Sequence, residues 1–165
     1  MSLTLQYDAE LARRQNLFAT SPDMIAQRRV IRRNLGLKPG ERVLEIGSGN
    51  GVLSAEMGIE VGTTGSVVAA DISPAMVAFA RSAFPAHPNL SFLEADAAEL
   101  PFADGTFDVA TGAQCLCLVR DVDDVLAEIW RVLRPGGRFT LLETDWETLV
   151  WNSRNLVSME RVMNA

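Results

Sequence analysis

The chain has 165 residues, 48% of them hydrophobic and 22% charged. That is one domain's length with enough apolar material for a core, which excludes a disordered chain. No stretch has the roughly 18 uninterrupted apolar residues of a membrane-spanning helix, and MSLTLQYDAELARRQ has no basic start followed by an apolar segment, so no secretory signal is read. Two cysteines, Cys115 and Cys117, stand one residue apart. They make neither a disulfide framework nor a zinc spacing, and a reduced, cytoplasmic setting is the expectation.

The net charge of −6 is unevenly spread. Residues 1–42 carry eight bases and four acids, residues 43–128 two bases and thirteen acids, and residues 129–165 five bases and four acids. A nucleic-acid surface needs clustered Lys and Arg. Only the arginine pairs 13/14, 28/29 and 32/33 offer that, and at helical spacing they are read as solvated helix faces. No nucleic-acid partner is expected, and the acidic centre suits a cationic ligand.

Ser21-Pro22-Asp23 is a helix start, with a hydroxyl cap, a proline in the first turn and an acid near the positive end of the dipole. Met24, Ile31 and Leu35 follow at helical spacing, and Gly36 ends the segment. Arg42–Ile46 is a short, nearly continuous apolar run, as in a strand buried on both faces. Gly47-Ser48-Gly49-Asn50-Gly51 leads into a helix from Val52 to about Val61. Ser66–Ala70 is a second strand ending at Asp71, and Ser73-Pro74 opens another helix. Asn89–Leu93 is the third strand, followed by Glu94-Ala95-Asp96, and Phe107 begins the fourth. Asp121 and Asp124 initiate a helix with an apolar stripe through Val125, Ile129 and Leu133. Pro135-Gly136-Gly137 stops it, and Arg138–Glu143 is the fifth strand. This alternation predicts an α/β fold: a doubly wound, Rossmann-like, mostly parallel sheet.

Ligands of such sheets bind beyond the carboxyl ends of the strands. Those ends collect Glu45-x-Gly47-x-Gly49-x-Gly51, Asp71, Asp96 and Gly112-Ala113-Gln114. Asp71 lies twenty residues past Gly51, where an acid meets ribose hydroxyls in a nucleotide-binding unit. A dinucleotide fingerprint would place its third glycine at position 52, which is Val52 here, and does not require an acid such as Asp96 at the third strand.

The stretches Val43–Gly51, Asp71–Met76, Asp96–Phe102, Phe107–Val109 and Arg131–Gly137, in this order, resemble class I S-adenosylmethionine-dependent methyltransferases. The likeness is to the small-molecule branch that includes ubiquinone/menaquinone-biosynthesis C-methyltransferases. It implies S-adenosylmethionine as cofactor, methyl transfer to a small-molecule acceptor by direct displacement, and an organisation into an N-terminal helical lid (1–39), a cofactor-binding domain (40–145) and a C-terminal segment (146–165). It also implies roles. Gly47, Ser48, Gly49 and Gly51 form the loop under the methionine and ribose, and Glu45 orients the methionine amino group. Asp71 takes the ribose hydroxyls; Ile72 and Met76 pack on the adenine. Asp96 accepts from the adenine amino group, the Ala97 backbone meets a ring nitrogen, and Gln114 sits near the transferred methyl. Other readings remain open: a cofactor-binding domain without turnover, or an NAD-type oxidoreductase.

Positioning can supply ~7–11 kcal/mol of a displacement barrier, so no conspicuous base is required. Glu143 and Asp145 are candidates if the acceptor needs one, and Tyr7 and Phe18 are candidate lid residues. No metal site is expected, and Cys115 and Cys117 are read as small hydrophobes on one side of a strand. The family's last two strands have no counterpart after the fifth. The expectation is therefore a homodimer through the exposed Arg138–Glu143 edge or the Trp146–Trp151 stretch, or a truncated form.

Overall fold

The computed structural model describes residues 9–144. Two helices come first, α1 (Ala9–Ala19) and α2 (Pro22–Leu35), followed by β1 (Arg42–Ile46), α3 (Val52–Val61) and β2 (Ser66–Asp71). Then come α4 (Pro74–Ala83), β3 (Leu90–Glu94), β4 (Phe107–Ala113), a single 3₁₀ turn at Leu116–Leu118, α5 (Val122–Val132) and β5 (Leu133–Leu142). The caps act as their sequences indicate. The Ser21 hydroxyl accepts from the Met24 amide, the Ser73 hydroxyl from the Met76 amide, and Gly36 closes α2 in the left-handed conformation.

All strand pairs are parallel, in the order β3-β2-β1-β4-β5. The chain steps outward from β1 through β2 to β3, then crosses back to place β4 on the other side of β1. The order therefore reverses between β1 and β4, which opens a crevice above their carboxyl ends.

Alternation along the strands sorts the core into two layers. Leu44, Ile46, Ala70 and Ala110 point to the face covered by Val125, Ile129 and Val132 of α5. Val43, Val67 and Val109 point to the opposite face, under Ile31 and Leu35 of α2 and Leu53, Met57 and Val61 of α3. Ala69 continues that second face beneath Val77 and Ala80 of α4. Each fully buried aliphatic side chain contributes about 1.5–3 kcal/mol, so these layers supply most of what holds the sheet.

Two arginines fasten the periphery. Arg138 on β5 donates to both carboxylate oxygens of Glu41 and to the carbonyls of Leu35 and Gly36, tying the end of α2 to the sheet. Arg131 joins Glu128 and Asp104 to the carbonyls of Leu100 and Phe102, clamping the β3–β4 connection onto α5. These guanidiniums hold the Glu41 and Glu128 carboxyls below the usual range.

Two expectations are corrected here. Pro135-Gly136-Gly137 does not precede the last strand: β5 starts at Leu133 and takes the three residues in, with a register shift between Phe107 and Val109 opposite them. An edge strand tolerates this because its outer backbone groups meet solvent. Cys115 and Cys117 are not strand neighbours, because β4 ends at Ala113 and the chain turns; Cys115 is buried and Cys117 exposed. Among the described residues no helix is long and apolar enough to cross a membrane, and no group of acids, histidines and cysteines forms a metal site.

Candidate functional site

A cavity of about 800 Å³ lies in the crevice at the β1/β4 reversal. Its floor is the β1–α3 loop. Gly47 and Gly49 both have positive φ (60° and 53°), so the loop reverses without side chains, and Gly47 leaves no room for one because a Cβ there would lie 2.4 Å from that of Cys115. Of the eleven residues singled out for the cofactor, ten line the cavity: Glu45, Gly47, Ser48, Gly49, Asp71, Ile72, Met76, Asp96, Ala97 and Gln114.

Gly51 is the exception. It stands at the start of α3 with φ 78°, and a Cβ there would approach the Phe92 ring to 2.6 Å. It seats the helix on the sheet and is not among the residues lining the cavity.

Asp71, at the end of β2, spans the floor. One carboxylate oxygen accepts from the Gly49 amide at 2.7 Å and the other from the Ser73 amide at 2.9 Å. Each oxygen keeps a second lone-pair direction for another donor. Burial raises the Asp71 pKa, and the two amides oppose that rise. At the end of β3, one Asp96 oxygen accepts from the Ala98 amide while the residue stays exposed. Ile72 is exposed at the mouth and Met76 fully buried beneath it.

Glu45 points to the α3 side of β1, where the Ser54 hydroxyl donates to it. Burial, with the nearby Asp71 charge, pushes its pKa up to about 8, so near neutral pH the carboxyl keeps its proton. Gln114, at the end of β4, has φ 55°, the only non-glycine residue with positive φ among those described. It is held by its amide on the Leu142 carbonyl and by the Thr144 hydroxyl donating to its side-chain oxygen.

The structure reassigns Glu143. One oxygen accepts from both the Cys115 and Leu116 amides, clamping the turn after β4, while the other is buried without a partner and the residue is not among those lining the cavity. Burial and that carboxylate push the Cys115 thiol up to about 12, leaving it unreactive. Phe18 lines the cavity from α1; Tyr7 and Asp145 lie outside the described residues.

Sequence reasoning missed Arg28 and Gln27. Arg28 is buried and lines the cavity; its guanidinium donates to the Ala19 carbonyl and to Glu56, joining α1, α2 and α3. The signal was present: Met24, Gln27, Arg28, Ile31 and Leu35 share one helical stripe, so Arg28 belongs to the inner face of α2. The Gln27 side-chain oxygen and the Ser48 hydroxyl are buried with no hydrogen-bond partner, and both residues line the cavity. Unsatisfied buried polar atoms facing a preformed cavity fit a polar ligand.

Residues 44–141 match the family described as a methyltransferase domain. The chain belongs to that family. It is 42% identical over 111 residues to the ubiquinone/menaquinone biosynthesis C-methyltransferase UbiE of Vibrio campbellii, an alignment covering 66% of this chain and 43% of the relative. The corresponding protein of Idiomarina loihiensis is 44% identical over 111 residues, covering 66% and 44%. The matched region thus spans under half the length of these relatives. Among solved structures, an S-adenosylmethionine-dependent methyltransferase from Aquifex aeolicus shares the fold, with a TM-score of 0.72, 23% identity and coverage of 82% of this chain and 72% of that one. Phosphoethanolamine N-methyltransferase 2 of Haemonchus contortus, in complex with S-adenosyl-L-methionine, has a TM-score of 0.74 and 26% identity, covering 84% of this chain and 33% of that one. The domain is a class I S-adenosylmethionine-dependent methyltransferase domain, and that sulfonium is its cofactor.

Proposed function

We propose that this domain transfers a methyl group from S-adenosylmethionine to a small-molecule acceptor by direct displacement. The observation that carries this is the Asp71 carboxylate at the sheet reversal, clamped by the Gly49 and Ser73 amides with a free lone-pair direction on each oxygen. In this reading Asp71 accepts from the two ribose hydroxyls. Asp96 and the Ala97 backbone meet the adenine edge, with Ile72 and Met76 against its faces. Gly47, Ser48 and Gly49 approach the ribose and methionine, and Glu45, Gln27 and Arg28 hold the amino-acid end. Gln114 borders the acceptor side.

The bound cofactor supplies an electrophilic methyl on a positively charged sulfur. The protein's share is positioning, exclusion of water and a fixed electrostatic environment, effects that together can supply ~7–11 kcal/mol. The acids lining the cavity favour that positive charge, and Glu45 has a proton to release when a cation arrives beside it. The C-methyltransferase relatives support a carbon acceptor, and α1–α2 with the turn after β4 supplies the walls an acceptor would meet.

Calorimetry with S-adenosylmethionine, S-adenosylhomocysteine and NAD, each titrated separately, tests the cofactor reading. Both sulfur compounds bind and NAD does not; tight NAD binding with neither sulfur compound bound would overturn it. Binding without release of S-adenosylhomocysteine in the presence of phenolic and enolisable acceptors would favour a domain without turnover.

A further inference from the structure

The first two helices present an outer surface of which only Phe18 also lines the cavity. On α1 the exposed residues include Arg13, Arg14, Leu17 and Phe18, and on α2 Ala26, Arg29, Val30 and Arg33. Each set has the i, i+3, i+4 spacing of a single helical stripe. Large apolar side chains on these stripes are strongly exposed: Leu17 is 73% exposed, Phe18 65% and Val30 50%. The neighbouring cations divide into two groups. Arg14, Arg28 and Arg32 form ion pairs with Glu10, Glu56 and Glu60. Arg13, Arg29 and Arg33 are exposed and make none among the described residues. Exposed, unpaired arginines beside exposed aliphatic and aromatic side chains suit an anionic lipid surface, where each cation adds attraction to the phosphates.

This surface adjoins the cavity mouth. Phe18 belongs to both, and two further exposed apolar residues at the mouth, Ile72 (58%) and Leu118 (46%), come from the β2–α4 loop and the 3₁₀ turn. Three separate elements thus each put a large apolar side chain at the rim. The charge is segregated in the same sense, with a surplus of bases in residues 1–42 and thirteen acids against two bases in residues 43–128. Near a negatively charged plane such a domain is turned with α1–α2 toward the plane and its acidic body, with the exposed Asp96, Asp121 and Asp124 of the cavity, away.

We propose that the outer faces of α1 and α2 dock on an anionic phospholipid surface. Leu17, Phe18 and Val30 enter the headgroup layer, and Arg13, Arg29 and Arg33 pair with lipid phosphates. The docking stands independently of the reaction assigned above, since of its residues only Phe18 also lines the cavity.

Flotation of the full chain with 100-nm vesicles tests it, using phosphatidylcholine alone or with 30% phosphatidylglycerol. The wild-type chain partitions onto the anionic vesicles, much less onto the neutral ones, and the binding weakens as salt rises. Each cation near an anionic surface is worth about fivefold in partitioning, so Arg29→Gln/Arg33→Gln lowers it about thirtyfold. Titration with S-adenosylhomocysteine remains as in wild type, because neither arginine lines the cavity. Arg13→Gln/Leu17→Ser gives a second, independent loss on α1. Equal partitioning onto both vesicle types, none onto either, or no change in the variants overturns the proposal. So does tight binding to a 20-nucleotide RNA without vesicle binding.

Discussion

Replacing Asp71 by alanine separates two functions that one side chain combines. Its oxygens receive the Gly49 and Ser73 amides at 2.7 and 2.9 Å, so the substitution first removes two backbone clamps at a partly buried site. Water from the cavity replaces part of what is lost, and about 1 kcal/mol per bond gives roughly 2 kcal/mol of destabilisation. In the proposed complex the same oxygens also accept from two ribose hydroxyls. A hydrogen bond to a charged acceptor is worth ~1.5–3 kcal/mol, or about ten- to a hundredfold in affinity for each one lost. Urea unfolding without ligand reads the first effect, and calorimetry with S-adenosylhomocysteine reads the second. A ligand lacking both ribose hydroxyls closes a double cycle: it binds wild type weakly and is nearly indifferent to Asp71→Ala. If Asp71→Ala loses stability but binds S-adenosylhomocysteine as wild type does, Asp71 only clamps the loop, and the ribose assignment fails.

Two further outcomes follow from buried groups. Glu45 carries a carboxyl whose pKa is near 8 when folded and 4.5 or so when exposed; the folded protein therefore retains a proton that the unfolded chain releases, and stability falls as pH rises between those values. At roughly 1.4 kcal/mol per unit, the effect is bounded by about 4–5 kcal/mol; Glu45→Gln keeps a hydrogen-bonding group without the charge, so its unfolding midpoint relative to wild type rises from pH 5 to pH 8.5, and a constant difference would refute a protonated Glu45. Gly51→Ala drives a Cβ toward the Phe92 ring at a positive φ, so it lowers the melting temperature by several degrees, the equivalent of about 1–3 kcal/mol. Wild-type stability in Gly51→Ala would refute the packing role.

The sequence alone settled the element order and fold class, because those signals are local. Ser-Pro starts appear as α2 and α4, the Arg42–Ile46 run as a strand buried on both faces, and the acids ending β1 and β2 as cavity residues. Parallel strands joined by helices leave one place where several strand ends meet, so a list of strand-end residues already approximates the site. What needed the tertiary structure was the partner each side chain finds. Gly47 and Gly51 look alike in the glycine loop; one reverses the cavity floor and the other makes room for Phe92, a residue 41 positions further along the chain. Glu143 directly follows β5, where a base would be sought, and one of its oxygens is taken up by two amides of the turn after β4. Arg28 sits in a run of arginines that reads as a solvated face, but Ala19 and Glu56 draw its guanidinium inward. A side chain's position in the chain fixes which face it takes; whether that face meets water, a ligand or another backbone depends on contacts between segments distant in sequence, and those exist only once the sheet has closed.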